Sequence, residues 1–249
     1  MAWKAIETIP IRIDAPISAE RAEAVRAALL TRALPLARLV HGRAEPLATA
    51  SLVADGSSLA LLTAAHIFDH VASGDLAVPL PREAAWACLR SVRLRVIVHP
   101  QRDLAMVLLD DPALSRRLRA NWMPVSTAHL HLDGRDSLTP RIYAVAGYPV
   151  SQARRHEGSV YMKPVVMFTH ALDAGRLAYA RTAERMDGLA IHTPELDGVS
   201  GALVWAIHED GPSADCLLRA AAVQVGFAHD RYVRTESLRS APALFRRFR

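Results

Sequence analysis

Cysteine is nearly missing from this chain: Cys88 and Cys216 are the two in 249 residues, far apart and in no Cys-x-x-Cys spacing, which excludes a cysteine-built metal site. Lysine stands only at positions 4 and 163, so the positive charge is almost all arginine, scattered among 25 acids. A net charge of +5 and a pI near 9.7 would suit an acidic partner, yet single charges on solvated faces account for it. Aromatics are sparse as well, at 6%, and no basic stripe interleaved with them is present, so no nucleic-acid partner is expected. No stretch reaches the roughly twenty apolar residues of a membrane span, so no membrane partner is expected either. Lys4, Glu7, Arg12, Asp14, Glu20 and Arg21 interrupt any apolar run that a signal peptide would need, and a cytoplasmic location is the expectation. There is no low-complexity tract and no repeat. What remains, 51% apolar against 22% charged residues, is the composition of a chain with a sizeable core, in one large domain or two small ones.

Taken in order, Thr8 to Asp14 alternates enough for a short strand. Ser18 is a candidate N-cap for a helix over Ala19 to Leu34, on which Ala22, Val25, Leu29 and Ala33 form one apolar stripe, to be docked on the parent domain or offered to another protein. From Leu36 onward short apolar runs are cut by polar turns. Ala48–Ala54, the turn Asp55-Gly56-Ser57-Ser58 and Leu59–Ala64 carry a hairpin signal, and Ser91–Val98 reads as a further strand. The second half repeats that texture at 141–146, 165–169, 189–192, 202–207 and 220–227, with loops at 147–149, 172–175 and 209–215. A helical stretch from Thr235 towards Arg249, re-capped near Pro242, closes the chain. Composition and periodicity thus support many short strands followed by a helix.

The chemistry concentrates in three places. In Asp197-Gly198-Val199-Ser200-Gly201-Ala202 a serine sits between glycines whose backbone can turn sharply, leaving the N–H groups of Gly198 and Ser200 free to face whatever the hydroxyl attacks. Gly-x-Ser-Gly also occurs in plain turns. Its company changes the reading: His66 ends the apolar run Leu61-Leu62-Thr63-Ala64-Ala65, and Asp103 opens the run Leu104 to Leu109. Each has an ordinary alternative, a satisfied core histidine and a strand-end cap. His66 and His70, four apart, could also share a helix face and hold a metal, but the glutamate that follows the first histidine of the zincin motif is missing and no third ligand is visible. His129, His131, His156 and His170 have no partner spacing. Histidine, aspartate and serine in this chain order are one of the known arrangements for acyl transfer.

Read together, these segments resemble the trypsin-like, chymotrypsin-fold serine peptidases, including the bacterial HtrA-type enzymes. Thr49 to Val53 followed by Leu59 to His66 is similar to the run into that family's Thr-Ala-Ala-His motif, and Val98-His99-Pro100 and Ala146-Gly147-Tyr148-Pro149 are similar to further landmarks. The resemblance extends from about Leu36 to Leu238. It implies an all-β protein of two perpendicular six-stranded β-barrels, with an N-terminal extension (1–35) containing a helix, a first barrel (36–125) carrying His66 and Asp103, and a second (126–249) carrying Ser200 and a C-terminal helix. It further implies a serine endopeptidase needing no cofactor, in which Ser200 is the nucleophile, His66 the base, Asp103 its orienting carboxylate, and Gly198 and Ser200 the oxyanion donors. Pro194 would form the pocket floor, and Gln224, Val225 and Gly226 the wall along which a peptide or protein substrate pairs as an added strand. A proline floor favours cleavage after uncharged, small-to-medium apolar residues, unless a one-residue shift brings Glu195 to the floor. The few cysteines fit a reducing compartment or a bacterial relative.

Two departures stand out. Val199 replaces the carboxylate that pairs with a freed N-terminus in zymogen-activated members, so activation by that ion pair is not expected; the chain would be competent as it stands, or switched by a regulatory protein partner or by loop ordering, without removal of the residues before Leu36. Ala202 replaces a second glycine. A relaxed oxyanion loop would instead suit a catalytically weak peptide-binding or scaffold protein, the alternative from a different functional class.

Overall fold

The Asp55-Gly56-Ser57-Ser58 turn forms as its composition predicts: Gly56 takes a left-handed φ of 58°, open to glycine at little steric cost, and Asp55 pairs with Ser58 across the hairpin. The computed structural model in which this is seen describes residues 3–69, 71, 75–89, 95–132, 142–157, 159–208, 218–246 and 248. Its first half runs β1 (Trp3–Ala5), β2 (Ile11–Arg12), helix α1 (Ala19–Leu30), β3 (Ala33–Val40), β4 (Arg43–Asp55), β5 (Ser58–Thr63), β6 (Leu76–Leu80), β7 (Ala85–Cys88), β8 (Arg95–Val98), β9 (Ala105–Leu108), helix α2 (Pro112–Asn121) and β10 (Val125–Ser126). The second half runs β11 (Ile142–Gly147), β12 (Ala153–His156), β13 (Ser159–Met162), β14 (Val165–Thr169), β15 (Ala171–Asp173), β16 (Arg176–Ala178), β17 (Thr182–Arg185), β18 (Ala190–His192), β19 (Leu203–Ile207), β20 (Leu218–Ala228), β21 (Tyr232–Ser237) and the short helix α3 (Pro242–Arg246).

The chain is mostly β-sheet, as expected. An eight-stranded sheet has the order β7-β6-β3-β4-β5-β9-β8 with β10 beside β4, a ten-stranded sheet the order β15-β16-β21-β20-β19-β11-β14-β2-β17-β18, and a three-stranded sheet the order β1-β13-β12. These ladders are open paths of eight and ten strands where the resemblance implies closed barrels of six. Part of the difference comes from the first twelve residues: β1 pairs with β13, and β2 is inserted between β14 and β17. Periodicity describes one segment at a time and carries no information on such a long-range partner.

Helix α1 starts where its cap predicts, with the Ser18 hydroxyl accepting from the Arg21 N–H at 3.3 Å, and docks Ala22, Val25 and Leu29, all fully buried. It stops at Leu30 rather than Leu34, and Ala33 begins β3; Pro35 holds that stretch extended, since proline disfavours helix both for itself and for the residue before it. Helix α2 is not among the expected elements although its start signal is explicit: the Asp111 carboxylate accepts from the N–H of Ala113 at 2.7 Å and of Leu114 at 3.1 Å, with Pro112 at the first helical position. The expected helix from Thr235 is also corrected. Thr235 to Ser237 belong to β21, which pairs with β20 and β16, and only a 3₁₀ turn over Leu238–Ser240 and α3 remain helical. Of the remaining expectations, residues 91–94, Arg141, the loop at 209–215 and His70 lie outside the described residues. Among the described residues, no helix is long and apolar enough to cross a membrane.

The two large sheets meet around Thr49 of β4. Gly201, with φ of 95°, approaches so closely that a Cβ there would stand 2.0 Å from the Thr49 carbonyl oxygen and 2.2 Å from Thr63 Oγ1. Both contacts belong to buried groups with nowhere to move. Gly201→Ala is therefore expected to lower stability by roughly 3 kcal/mol, from backbone strain plus overpacking. Gly42→Ala provides the comparison, because Gly42 has φ of 74° but nothing within 4 Å of its would-be Cβ. It should cost only about 1 kcal/mol. Urea titration of both variants checks this, and equal losses would contradict the close approach.

Candidate active site

His66 and Asp103 are brought together by strand register. Thr63 of β5 pairs with Ala105 of β9, so the chain leaving β5 and the chain entering β9 emerge at the same end of the sheet. His66 lies in the 3₁₀ turn Ala65–Asp69 just after β5, and Asp103 two residues before β9. The ring Nδ1 is 2.7 Å from Asp103 Oδ2, and the His66 backbone N–H donates to Oδ1 at 2.9 Å. With the ring held at Nδ1 and the backbone at its N–H by the same carboxylate, the ring has one favoured orientation, and with the Nδ1 proton facing the carboxylate its basic nitrogen is Nε2. Burial opposes the charged form of Asp103, but the His66 ring bond, the backbone bonds from His66 and Ala65 and the imidazole's charge outweigh it, holding the carboxyl below its usual range. Arg234 Nη2 adds a longer contact to Oδ2 at 3.5 Å.

Ser200 lies in the turn that leads into β19. Its carbonyl accepts from the Thr49 N–H at 2.9 Å, while Thr49 Oγ1 donates to the Gly198 carbonyl at 2.8 Å and accepts from the Tyr148 N–H at 3.0 Å. On the other side Gly201 N–H donates to Gln224 O at 2.7 Å and Gln224 N–H to Ala202 O at 2.8 Å. Gly198 has φ of 89° and leaves no room for a side chain, since a Cβ would lie 2.9 Å from Tyr148 O and from Val150 N. Val150 N–H donates to Asp197 O and Val199 N–H to Leu196 O, whereas among the described residues no acceptor takes the N–H of Gly198 or Ser200. The same contact that fixes Gly201 brings this turn towards His66: a Cβ on Gly201 would be 3.1 Å from the N of Ala64, two residues before the histidine. Val199 and Ala202 are fully buried in one apolar cluster, so both departures from the resembled motif are packed into place.

Of the four residues expected to line a pocket, Pro194 lines a cavity whose lining does not include the other three. Gln224 is fully buried, its backbone engaged by the Ser200 turn and its Nε2 donating to Gly226 O at 3.0 Å, and Val225 packs into the main core. Gly226 is partly exposed, with Arg234 of the neighbouring strand beside it, Nε 3.7 Å from where a Cβ would be. Pro194 lines a separate cavity of about 630 Å³ with Ile9, Ile11, Lys163 and Arg185. Its carbonyl accepts from the Tyr179 hydroxyl, and the Tyr179 ring meets Phe227 and His229 edge-on at centroid distances of 6.1 and 5.8 Å. Burial pushes the Tyr179 phenol up to about 12, with Thr193 lowering and Glu195 raising it further. Glu195 itself is exposed. These aromatics, and Thr49, are the site residues that sequence reasoning did not assign; a threonine in the run Leu47 to Val53, where Ser51 is the other polar residue, is the one signal that pointed to the latter. Among the described residues no group of three His, Cys, Asp or Glu side chains is placed to hold a metal ion, and His66 spends Nδ1 on Asp103.

No protein-family model and no curated protein matches this sequence. Among solved structures, a chain from Sesbania mosaic virus, described for the coupled folding and binding of the VPg protein, aligns over 82% of this chain and 85% of its own at 14% identity and a TM-score of 0.45, too distant to bear on the fold. The VesB protease of Vibrio cholerae aligns over 87% of this chain at 13% identity and a TM-score of 0.50. The chain spans 64% of the VesB chain, less than two thirds of it. The likeness is one of fold: this mostly β-sheet chain is similar in fold to a protease.

Proposed function

We propose that this chain is a trypsin-like serine endopeptidase in which Ser200, His66 and Asp103 act as the catalytic residues. One observation carries the reading: the His66–Asp103 pair, with its Nδ1–Oδ2 separation of 2.7 Å, follows directly on the Thr63–Ala64 segment against which Gly201 of the Ser200 turn is closely packed, the turn itself being bonded to Thr49. In the step proposed, Ser200 Oγ bonds to the scissile carbonyl carbon as His66 Nε2 takes its proton, and Asp103 stabilises the imidazolium that forms. The negative charge on the carbonyl oxygen falls to the unengaged N–H groups of Gly198 and Ser200, each worth about 3 kcal/mol when well aimed. The C–N bond then breaks, the His66 proton leaves with the amine, and water releases the acyl group by the same route in reverse.

Tyr179, bonded to the Pro194 carbonyl, packs edge-on against Phe227 and His229, and among the described residues no buried carboxylate stands in this cluster to pair with a basic side chain. An unpaired ammonium or guanidinium would be costly in such surroundings. Cleavage after small uncharged residues follows. A mixed peptide library read by mass spectrometry should show it, and dominant cleavage after arginine would overturn this preference and implicate Glu195.

Ser200→Ala should leave the fold intact and abolish labelling by a fluorophosphonate probe. Labelling of the wild type lost on this substitution supports the reading; an unlabelled wild type that still binds peptides would favour a peptide-binding scaffold instead.

Asp103→Asn tests the carboxylate on two counts. Activity should fall by about 10⁴-fold, because the amide no longer fixes the productive tautomer. Stability should differ from wild type in a pH-dependent way: a carboxyl whose folded pKa is depressed stabilises the fold above its unfolded value, and that contribution is lost as pH falls through the folded value. The gap between wild type and variant should therefore shrink as pH falls below about 4. A gap that held its size or grew between about pH 4 and pH 2 would contradict the assignment.

A further inference from the structure

We propose that the N-terminal segment around Ile11 and Ile13 is a positioning element of the Ser200 site, holding by apolar contact the turn that aims the Gly198 and Ser200 N–H groups; this rests on the reading of Ser200 as nucleophile. The segment is built into the sheet. In β2, Ile11 and Arg12 pair in parallel with Met167 and Phe168 of β14 and antiparallel with Arg185 and Glu184 of β17. Ile13 N–H donates to Phe168 O at 2.8 Å, Met186 N–H to Pro10 O at 3.0 Å, and the Arg12 guanidinium forks onto Glu184 at 3.1 and 2.6 Å.

From there a continuous path leads to the turn. β14 pairs on its other side with β11, Val165 opposite Gly147, and Gly147 is the residue on which Val199 sits, its Cγ1 2.7 Å from where a Cβ would be. Ile11, Ile13, Val165, Leu196, Val199 and Ala202 share one buried cluster. Val199 lies between Gly198 and Ser200, so where its side chain settles decides how both N–H groups point. A charged residue here would need an ion partner; valine needs an apolar floor, and the N-terminal segment supplies part of it. These residues therefore support the site from within the fold, and releasing them would weaken the nucleophile's surroundings where an inhibitory extension would free them.

The test compares Ile13→Ala with Val25→Ala, a fully buried position on α1 in the other core cluster. At a temperature where circular dichroism shows both folded, Ile13→Ala should label with the fluorophosphonate about tenfold more slowly and lower kcat with KM unchanged, because misaimed donors weaken only the transition state. Val25→Ala should label at the wild-type rate, and the milder Ile13→Val should restore most of it, keeping the comparison available if the alanine variant unfolds. Equal labelling of the Ile13 variants and wild type would overturn the proposal. Amide exchange separates this outcome from failure of the peptidase reading: even in a chain that no probe labels, Ile13→Ala should speed exchange at Val199, Gly201 and Ala202 by about tenfold and Val25→Ala should not. Unchanged exchange there would overturn the proposal on its own.

Discussion

Thr49 is the group on which the arrangement depends. Its N–H donates to Ser200 O at 2.9 Å, its hydroxyl donates to Gly198 O at 2.8 Å and accepts from Tyr148 N–H at 3.0 Å, and its carbonyl accepts from the Thr63 hydroxyl at 2.9 Å. Thr49 and Thr63 are fully buried, so each of these groups would otherwise lie desolvated without a partner, at about 1–3 kcal/mol apiece. The only low-energy solution is the one in which the eight-stranded sheet, the β11 loop and the Ser200 turn are all in place. One buried threonine thereby couples the half of the chain that holds His66 to the half that holds Ser200.

Around that polar joint the site is held by packing. Val199 on Gly147 and Ala202 in the same cluster resist displacement through dispersion and burial, which have no pH dependence of their own, in contrast to an ion pair. The titratable element is confined to His66 and Asp103, where register between β5 and β9 puts the carboxylate within reach of both the ring and the backbone of the histidine. The geometry thus separates two kinds of contact: apolar packing around the turn, and a hydrogen-bonded His66–Asp103 pair nearer the surface.

The open ten-stranded sheet has a related origin. A strand as short as β2 has little stability alone, yet inserted between β14 and β17 it satisfies its backbone on both sides and places two isoleucines in the interior. Had residues 1–35 been a mere appendage, the neighbouring strands would have been left with exposed edges.

The amino-acid sequence by itself determined the local features whose causes are local. The Asp-Gly hairpin, the Ser18 cap, the strand at Val165–Thr169 and the β-rich texture follow from turn chemistry and alternation within a few residues. The Asp111-Pro112 start of α2 was equally legible. His66, Asp103 and Ser200 could be singled out because each sits in a short pattern with its own chemical logic. Only the tertiary structure decided what depends on distant partners: that Thr235 continues a strand because β16 and β20 flank it, that β2 enters the second sheet, that Arg234 stands beside Gly226, and that Tyr179 meets Phe227 beside Pro194. The free energy of those choices comes from ladder hydrogen bonds and buried area shared between segments far apart in the chain, and no window of sequence contains both sides of such a contact.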